Sequence, residues 1–366
     1  MLTRLPITGA LPPSFFAIPE AVYAGQSLRP APADPARTAA LFAAEAALHD
    51  IILYTDHQRV RLVGIFPKEK APDGVTDALF GFWEATPDAA ELTAAAFAAL
   101  AADAAARGFR RLVGPLNFTT FHAYRLRLGA EPPSWGAFDR EPVNPPYYPD
   151  WLEAAGFRPS LTYESRLIRP ATVPVVYSDK ATLLAQLAHM PFQFIPLTPE
   201  AWAAHEAQIF PLVHAIFGEN PAYRMIPDDQ FRALYGAAYA RALCPHSSVL
   251  VREPGRGRLV GLSFCHPNYQ PLALPPGTAP DFERDYPRLP RGERTLLAKT
   301  VGIHPDFRQR GLMSLLGAYG MGPFRAFYDQ VIFCLMRTGN PSLAFTDGLP
   351  VEVARYALFA REVAAG

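Results

Sequence analysis

The stretch from Thr295 to Leu316, TLLAKTVGIHPDFRQRGLMSLL, constrains the fold of this chain more than any other. Leu296 to Ile303 reads as a buried strand, His304-Pro305-Asp306 as a break, and Leu312 to Leu316 as the start of a helix. Between strand and helix lies Arg308-Gln309-Arg310-Gly311, a loop that can leave several backbone N–H groups unpaired and aimed one way. Such a helix start binds anions, because its first-turn donors and the helix dipole both favour negative charge. Gly311 lets a phosphate approach the backbone, and Arg308 and Arg310 add positive charge. The competing reading is an ordinary strand-to-helix turn, so the neighbouring segments have to decide.

With 366 residues the chain suits two ordinary domains better than one. Half of its residues are hydrophobic (50%) and 19% are charged, which is the balance of a folded protein and not of a disordered one. The formal net charge is zero, giving no broad field to attract nucleic acid or an anionic membrane. Cys244, Cys265 and Cys334 are far apart, fit no metal spacing and point to a reducing cytoplasm. Prolines interrupt Met1–Val22, so it lacks the apolar core of a signal peptide, and no apolar run approaches the roughly 20 residues of a membrane span.

Taken in order, the chain opens with a proline-punctuated arm and an alanine-rich helix near Pro35–His49. Strands follow at Ile51–Tyr54, Arg59–Phe66 and Ala78–Trp83, then a long helix from Asp88 to Arg107 closed by Gly108. Phe109–Val113 is the next strand, Asn144–Pro149 leads into a short helix, and Leu161–Leu167 is a strand that closes the half. Residues 170–190 form a join. A helix starts at Thr198-Pro199-Glu200, a second lies near Pro227–Leu243, and Ser248–Arg252 and Arg258–Cys265 form a hairpin around Pro254–Gly257. The strand-loop-helix comes next, then a strand ending near Asn340, a short helix and a final strand Val351–Arg361. Both halves therefore run helices, strands, strand-loop-helix, strand, short helix, strand. Setting Pro87-Asp88 on Pro305-Asp306 puts Ala90 opposite Arg308 and Thr93 opposite Gly311, so the first half lacks the charge and the glycine.

Ile303-His304-Pro305 followed by Arg308 and Gly311 resembles the coenzyme A signature of the GCN5-related N-acetyltransferase (GNAT) superfamily, a Gln/Arg-x-x-Gly-x-Gly/Ala loop after a strand ending in Val-x-Pro. Met313 departs at the third signature position, and Val331–Asn340 looks like the family's fifth strand and its following Asn. The resemblance implies an α/β (α+β) chain of two tandem GNAT-like folds, each a mixed sheet flanked by helices. Residues 1–170 would be a half without the coenzyme loop and 171–366 the half with it. The cofactor would be acetyl-CoA or coenzyme A, with no metal. Its site would draw on backbone at Val301 and Ile303, the loop residues Arg308, Gln309, Arg310, Gly311, Leu312, Met313 and Ser314, and Asn340. Asn340 could equally cap the helix that starts at Pro341.

Acyl transfer from a thioester to an amine needs a base for the amine, a donor for the oxyanion and a proton for the leaving thiolate. Many family members keep a Glu four residues before the Val-x-Pro valine, and here that position is Lys299. A lysine is protonated near pH 7 unless burial lowers its pKa, so Lys299 reads as a counter-charge for the substrate or as a surface cation. Glu293 is six residues away, about 20 Å along a strand, and cannot take its place. His266 and Tyr269 end the third strand beside the implied acceptor cleft, and His266 has the right pKa range for a base. Cys265 and Cys334 read as small buried strand residues. No Tyr stands seven residues after Asn340, which leaves Tyr319 and Tyr356 as acids or as core.

These readings lead to a cytoplasmic acyltransferase acting on a small-molecule amine, without nucleic acid or membrane partners. A homodimer stays open. The competing classes are a coenzyme-binding pseudoenzyme and a transferase fed by aminoacyl-tRNA, the latter disfavoured by the zero net charge.

Overall fold

Strands that are apolar at nearly every position need cover on both faces, and this is how the sheets are built. The structure, a computed structural model, describes residues 1–69, 77–187, 189–275 and 277–363. The chain divides into two compact units, Met1–Tyr163 with Arg355–Gly366 and Glu164–Ala354, so the last twelve residues count with the first unit.

In the first unit the elements run β1 (Thr3–Pro6), α1 (Ser14–Val22), α2 (Pro35–Glu45), β2 (His49–Thr55), β3 (Val60–Pro67), β4 (Ala78–Ala85), α3 (Ala90–Ala106), β5 (Arg111–Gly114), β6 (Leu126–Leu128) and α4 (Tyr148–Ala154). β7 (Arg158–Ile168) passes from this unit into the next. Sheet order is β1-β2-β3-β4-β5, antiparallel except for β4 and β5, which pair in parallel. Phe359–Glu362 from the end of the chain then pairs antiparallel with β5. Alternate residues of β2 feed opposite faces. Ile51 and Leu53 meet Phe15 and Phe42 of α1 and α2, while Ile52 and Tyr54 join Phe97 and Leu100 of α3. Asp34 caps α2 by accepting the N–H groups of Ala36 and Arg37 at 2.9 and 3.1 Å. The proline arm expected at the N-terminus holds β1 and α1, and Pro19 inside α1 hid a helix whose Phe15, Ile18 and Val22 are buried.

The second unit holds α5 (Val173–Leu187), β8 (Gln193–Pro196), α6 (Pro199–Phe217), α7 (Asp228–Tyr235), α8 (Ala237–Ala242), β9 (Val249–Arg252), β10 (Leu259–Pro267), α9 (Phe282–Asp285), β11 (Thr295–Ile303), α10 (Leu312–Met321), α11 (Phe324–Phe327) and β12 (Gln330–Arg337). β13 (Glu352–Glu362) begins in it. The order β12-β11-β10-β9-β8 is antiparallel except between β11 and β12. One face carries α6, with Trp202 against Phe264, and the other carries α10, whose Leu312, Leu315 and Leu316 pack with Leu183 of α5. The join expected at 170–190 is thus α5, and the single helix expected near Pro227–Leu243 breaks at Gly236. A Cβ at Gly236 would stand 2.5 Å from the Arg232 carbonyl oxygen.

Asp285 ties the loop before β11 together. Its fully buried carboxylate accepts from Arg284 at 2.6 Å, Arg288 at 2.8 Å and the Asp281 N–H at 3.0 Å. The Arg284 guanidinium foremost, with those other donors, holds its pKa down to about 2. A depressed carboxylate stabilises the fold above its unfolded pKa of about 3.9 and loses that contribution as pH falls through the folded value. Asp285→Asn is expected to cost about 1 kcal/mol near neutral pH, a modest figure because both arginines are half-exposed. Urea titrations of both proteins should converge by about pH 2. A gap that persists there, or grows, would refute the assignment.

Candidate active site

β11 and β12 pair in parallel from Thr295–Gln330 to Ala298–Phe333 and then part, although β11 continues to Ile303 and β12 to Arg337. Over the same residues β11 stays fixed to β10, with Thr300 opposite Phe264 and Ile303 opposite Gly261. The β10 register shifts between Phe264 and Cys265, which face Thr300 and Ala298, so Lys299 is the extra residue of a bulge. A bulge next to a strand that has lost its neighbour makes a fork in the sheet. The fork opens at Ala298, ahead of Val301 and Ile303, where the sequence put the backbone contacts. Val301 and Ile303 lie in the apolar cluster with α10.

The strand leads into the loop. After a short 3-10 turn at Pro305–Phe307, where His304 Nδ1 accepts the Asp306 N–H at 3.3 Å, Gln309 and Gly311 both take left-handed backbone, with φ of 64° and 74°. Gly311 is the N-cap of α10 and no side chain caps the helix. The first helical bond recorded there runs from the Leu315 N–H to the Gly311 carbonyl at 3.2 Å, so Leu312, Met313 and Ser314 precede any intrahelical acceptor. Nothing lies within 4 Å of where a Gly311 Cβ would be. This is open, donor-rich backbone at a positive helix end, and a diphosphate fits its chemistry. Met313 is half-buried among Leu312 and its neighbours, so its bulk turns into the core cluster.

The arginines are committed in ways the sequence did not suggest. Arg308 reaches α6, donating through Nη2 to the Ile216 carbonyl at 3.1 Å and through Nη1 to Glu219 at 3.3 Å. Arg310 lies over the Phe307 ring at 4.7 Å, with Arg258 also within 5.0 Å of that ring. Asn340 caps the turn that starts at Pro341, its Oδ1 accepting the Ser342 N–H at 3.2 Å.

Each of the other candidates has its own surroundings. His266 is buried on β10, its ring edge-on to Tyr239 at 5.3 Å, and its strand partner is Leu297. Tyr269 is buried and donates to the Ala242 carbonyl at 2.9 Å, and burial lifts its pKa. Tyr319 is half-buried and stacks on Phe194, and burial raises its pKa also. Tyr356 belongs to the first unit, where its hydroxyl donates to buried Glu141. Burial pushes the Cys265 thiol up to about 12, the state of a structural cysteine and not of a nucleophile. Among the described residues no group of three or more His, Cys, Asp or Glu is set to hold a metal, and no helix is long and apolar enough to cross a membrane.

The first unit contains the same fork, filled by its own chain. β4 pairs with β5 only at Ala78–Leu112 and Leu79–Val113, and Phe82, in the irregular stretch that follows, has a φ of 48°. The Phe82 N–H is taken by Asn117 Oδ1 at 2.7 Å, and the Leu116 N–H bonds the Phe80 carbonyl at 2.8 Å. A Cβ on Gly81 would stand 2.6 Å from the Leu116 oxygen, so the plug has no slack. The loop is missing too: α3 starts three residues after Pro87, whereas α10 starts seven after Pro305. Thr93, set against Gly311 by sequence, is buried within α3. Asn117 lies in the Gly114–Phe118 segment, which resembles segments of tandem members but gives no sign in sequence of filling a fork.

Comparison with known proteins agrees with this geometry. No family model matches the chain, and no curated protein matches its sequence. Among solved structures it is similar to a tandem GNAT protein from the clavulanic acid biosynthesis pathway, solved without AcCoA, at 13% identity and a TM-score of 0.51 over 100% of both chains. It is also similar to a conserved protein of unknown function from Enterococcus faecalis, described as a probable N-acyltransferase. That likeness has 10% identity and a TM-score of 0.50, over 100% of this chain and 74% of the other. Such identities speak to architecture alone, and the architecture is plain: this chain has the tandem GNAT fold.

Proposed function

We propose that the chain is an N-acyltransferase that moves an acyl group, most simply acetyl, from coenzyme A to a small amine in the cytoplasm. The half at 171–366 would carry the coenzyme and 1–170 would not. The observation that carries this reading is the fork at Ala298–Phe333 with its Lys299 bulge, on the strand that runs straight into the open Gly311 loop. When bound, the coenzyme supplies the acyl group as an activated thioester. The N–H groups of Leu312, Met313 and Ser314 would hold its diphosphate, and Gly311 would admit it. Backbone of β11 beyond Ala298 would orient the acyl carbonyl and donate to it, a role that needs no particular side chain. Fixing the amine against that carbonyl is worth roughly 7–11 kcal/mol, so a weak base does not disable the site. The plugged fork at Asn117 supports coenzyme binding in one half only.

Since the bulge works through backbone, Lys299 would serve as a counter-charge. Lys299→Ala is expected to raise the Michaelis constant for the amine while sparing kcat. His266, buried beside the bulge register, is the candidate to take the amine's proton through a held water. His266→Ala should then lower kcat by about 10²–10⁴-fold. A loss smaller than tenfold assigns the rate to positioning alone, and a collapse of kcat in Lys299→Ala makes the lysine catalytic. Coenzyme binding without turnover over a panel of amines would favour the pseudoenzyme reading.

A further inference from the structure

A helix ends with carbonyls that have no donor within the helix. At the end of α6, the His214 carbonyl accepts the Gly218 N–H at 2.7 Å and the Phe217 carbonyl accepts the Asn220 N–H at 2.9 Å. The Ile216 carbonyl is served by Arg308, which arrives from the coenzyme loop 92 residues away and bonds Glu219 with its other nitrogen. A cation here also complements the negative end of the helix dipole. Ile216 is in turn seated on β11, since a Cβ at Gly302 would lie 2.3 Å from its Cγ2. Past α6 the chain doubles back through Ala222, left-handed at φ 63°, and stacks the Tyr223 ring on His214 at 5.8 Å. One guanidinium therefore joins the loop that would hold a diphosphate, the end of α6 and the turn at 218–226.

We infer that Arg308 is a positioning residue that links the coenzyme loop to this turn: a diphosphate at Leu312–Ser314 draws the guanidinium from Glu219 and loosens residues 218–226, beside the strand that carries the fork. The inference rests on the coenzyme reading above. Its physical basis is a competition for one set of N–H donors. The Arg308 side chain is 45% exposed and that of Glu219 77%, and an ion pair so solvated is weak. A phosphate offers the same guanidinium a bidentate, doubly charged partner.

Hydrogen exchange over 210–230, with and without coenzyme A, tests the link in wild type, Glu219→Gln and Arg308→Ala, with calorimetry run in parallel. In wild type, coenzyme A should speed exchange at 218–226 by about two- to fivefold, the range of an exposed ion pair. Glu219→Gln should bind coenzyme A tighter by a similar factor, exchange faster without it and respond less to it. Arg308→Ala should exchange fast in both conditions. If coenzyme A binds wild type by calorimetry yet leaves exchange at 218–226 unchanged, Arg308 is only a staple for the helix end and the inference is overturned. An equal response in wild type and Glu219→Gln overturns it as well. Absence of calorimetric binding in wild type instead removes the coenzyme reading, and the link falls with it.

Discussion

Gly311→Asp is expected to weaken coenzyme A binding by about 10- to 100-fold while leaving the fold in place. Two unit charges about 4 Å apart repel by about 4 kcal/mol at the effective dielectric of a protein surface, and solvent screening at this exposed loop removes part of that. What remains, about 1.4–2.8 kcal/mol, is the stated loss. The same substitution suits the local backbone. Asp is among the side chains that tolerate the left-handed conformation seen at φ 74°, so the unfolding temperature should fall by no more than about 4 °C. Gly311→Asn separates charge from bulk, since it is nearly isosteric and neutral, and it should lose far less affinity. Calorimetry with coenzyme A reads both variants. Equal affinity in Gly311→Asp and wild type would mean that no phosphate approaches this helix end.

The second large effect concerns the first unit. A methyl group at Gly114 would stand 2.3 Å from the Phe80 carbonyl oxygen and 2.7 Å from its ring. The oxygen is part of β4 and accepts the Leu116 N–H at 2.8 Å, so relief requires the strand or the plug to move. Gly114→Ala should therefore cost about 3 kcal/mol, at the upper end of overpacking penalties because the collision is with backbone. Urea unfolding should show a lower midpoint, with the slope indicating whether a single transition is retained. A variant as stable as wild type would mean that β4 and β5 are looser at the fork than their register implies.

How far the sequence reached can be followed residue by residue. Turn chemistry and apolar runs are local properties, so Gly108 closing α3, Thr198 capping α6 and the hairpin around Pro254–Gly257 were legible, and so was the strand-loop-helix from Thr295. The tandem architecture followed from the same source, because the order of elements repeats. Local reasoning failed where a local rule is overridden. Pro19 lies inside a helix held by packing of Phe15 and Ile18, and the join expected at 170–190 contains the helix Val173–Leu187.

The site divides along the same line. Glycine, positive charge and an unpaired helix start are encoded within a few residues, and the sequence by itself determined that residues 308–314 could meet an anion. Where Arg308 points was decided by tertiary structure, since its partners Ile216 and Glu219 lie about ninety residues upstream and orphaned carbonyls at a helix end compete for any nearby donor. The fork was equally out of reach. It exists only as a difference between two pairings, β11 held by β10 and released by β12, with Lys299 as the residue left over. Its counterpart in the first unit is filled by Asn117, whose segment resembles tandem members but whose partner, the Phe82 N–H, is set by the fold. Backbone register is a relation between distant segments, and only folding brings those segments side by side.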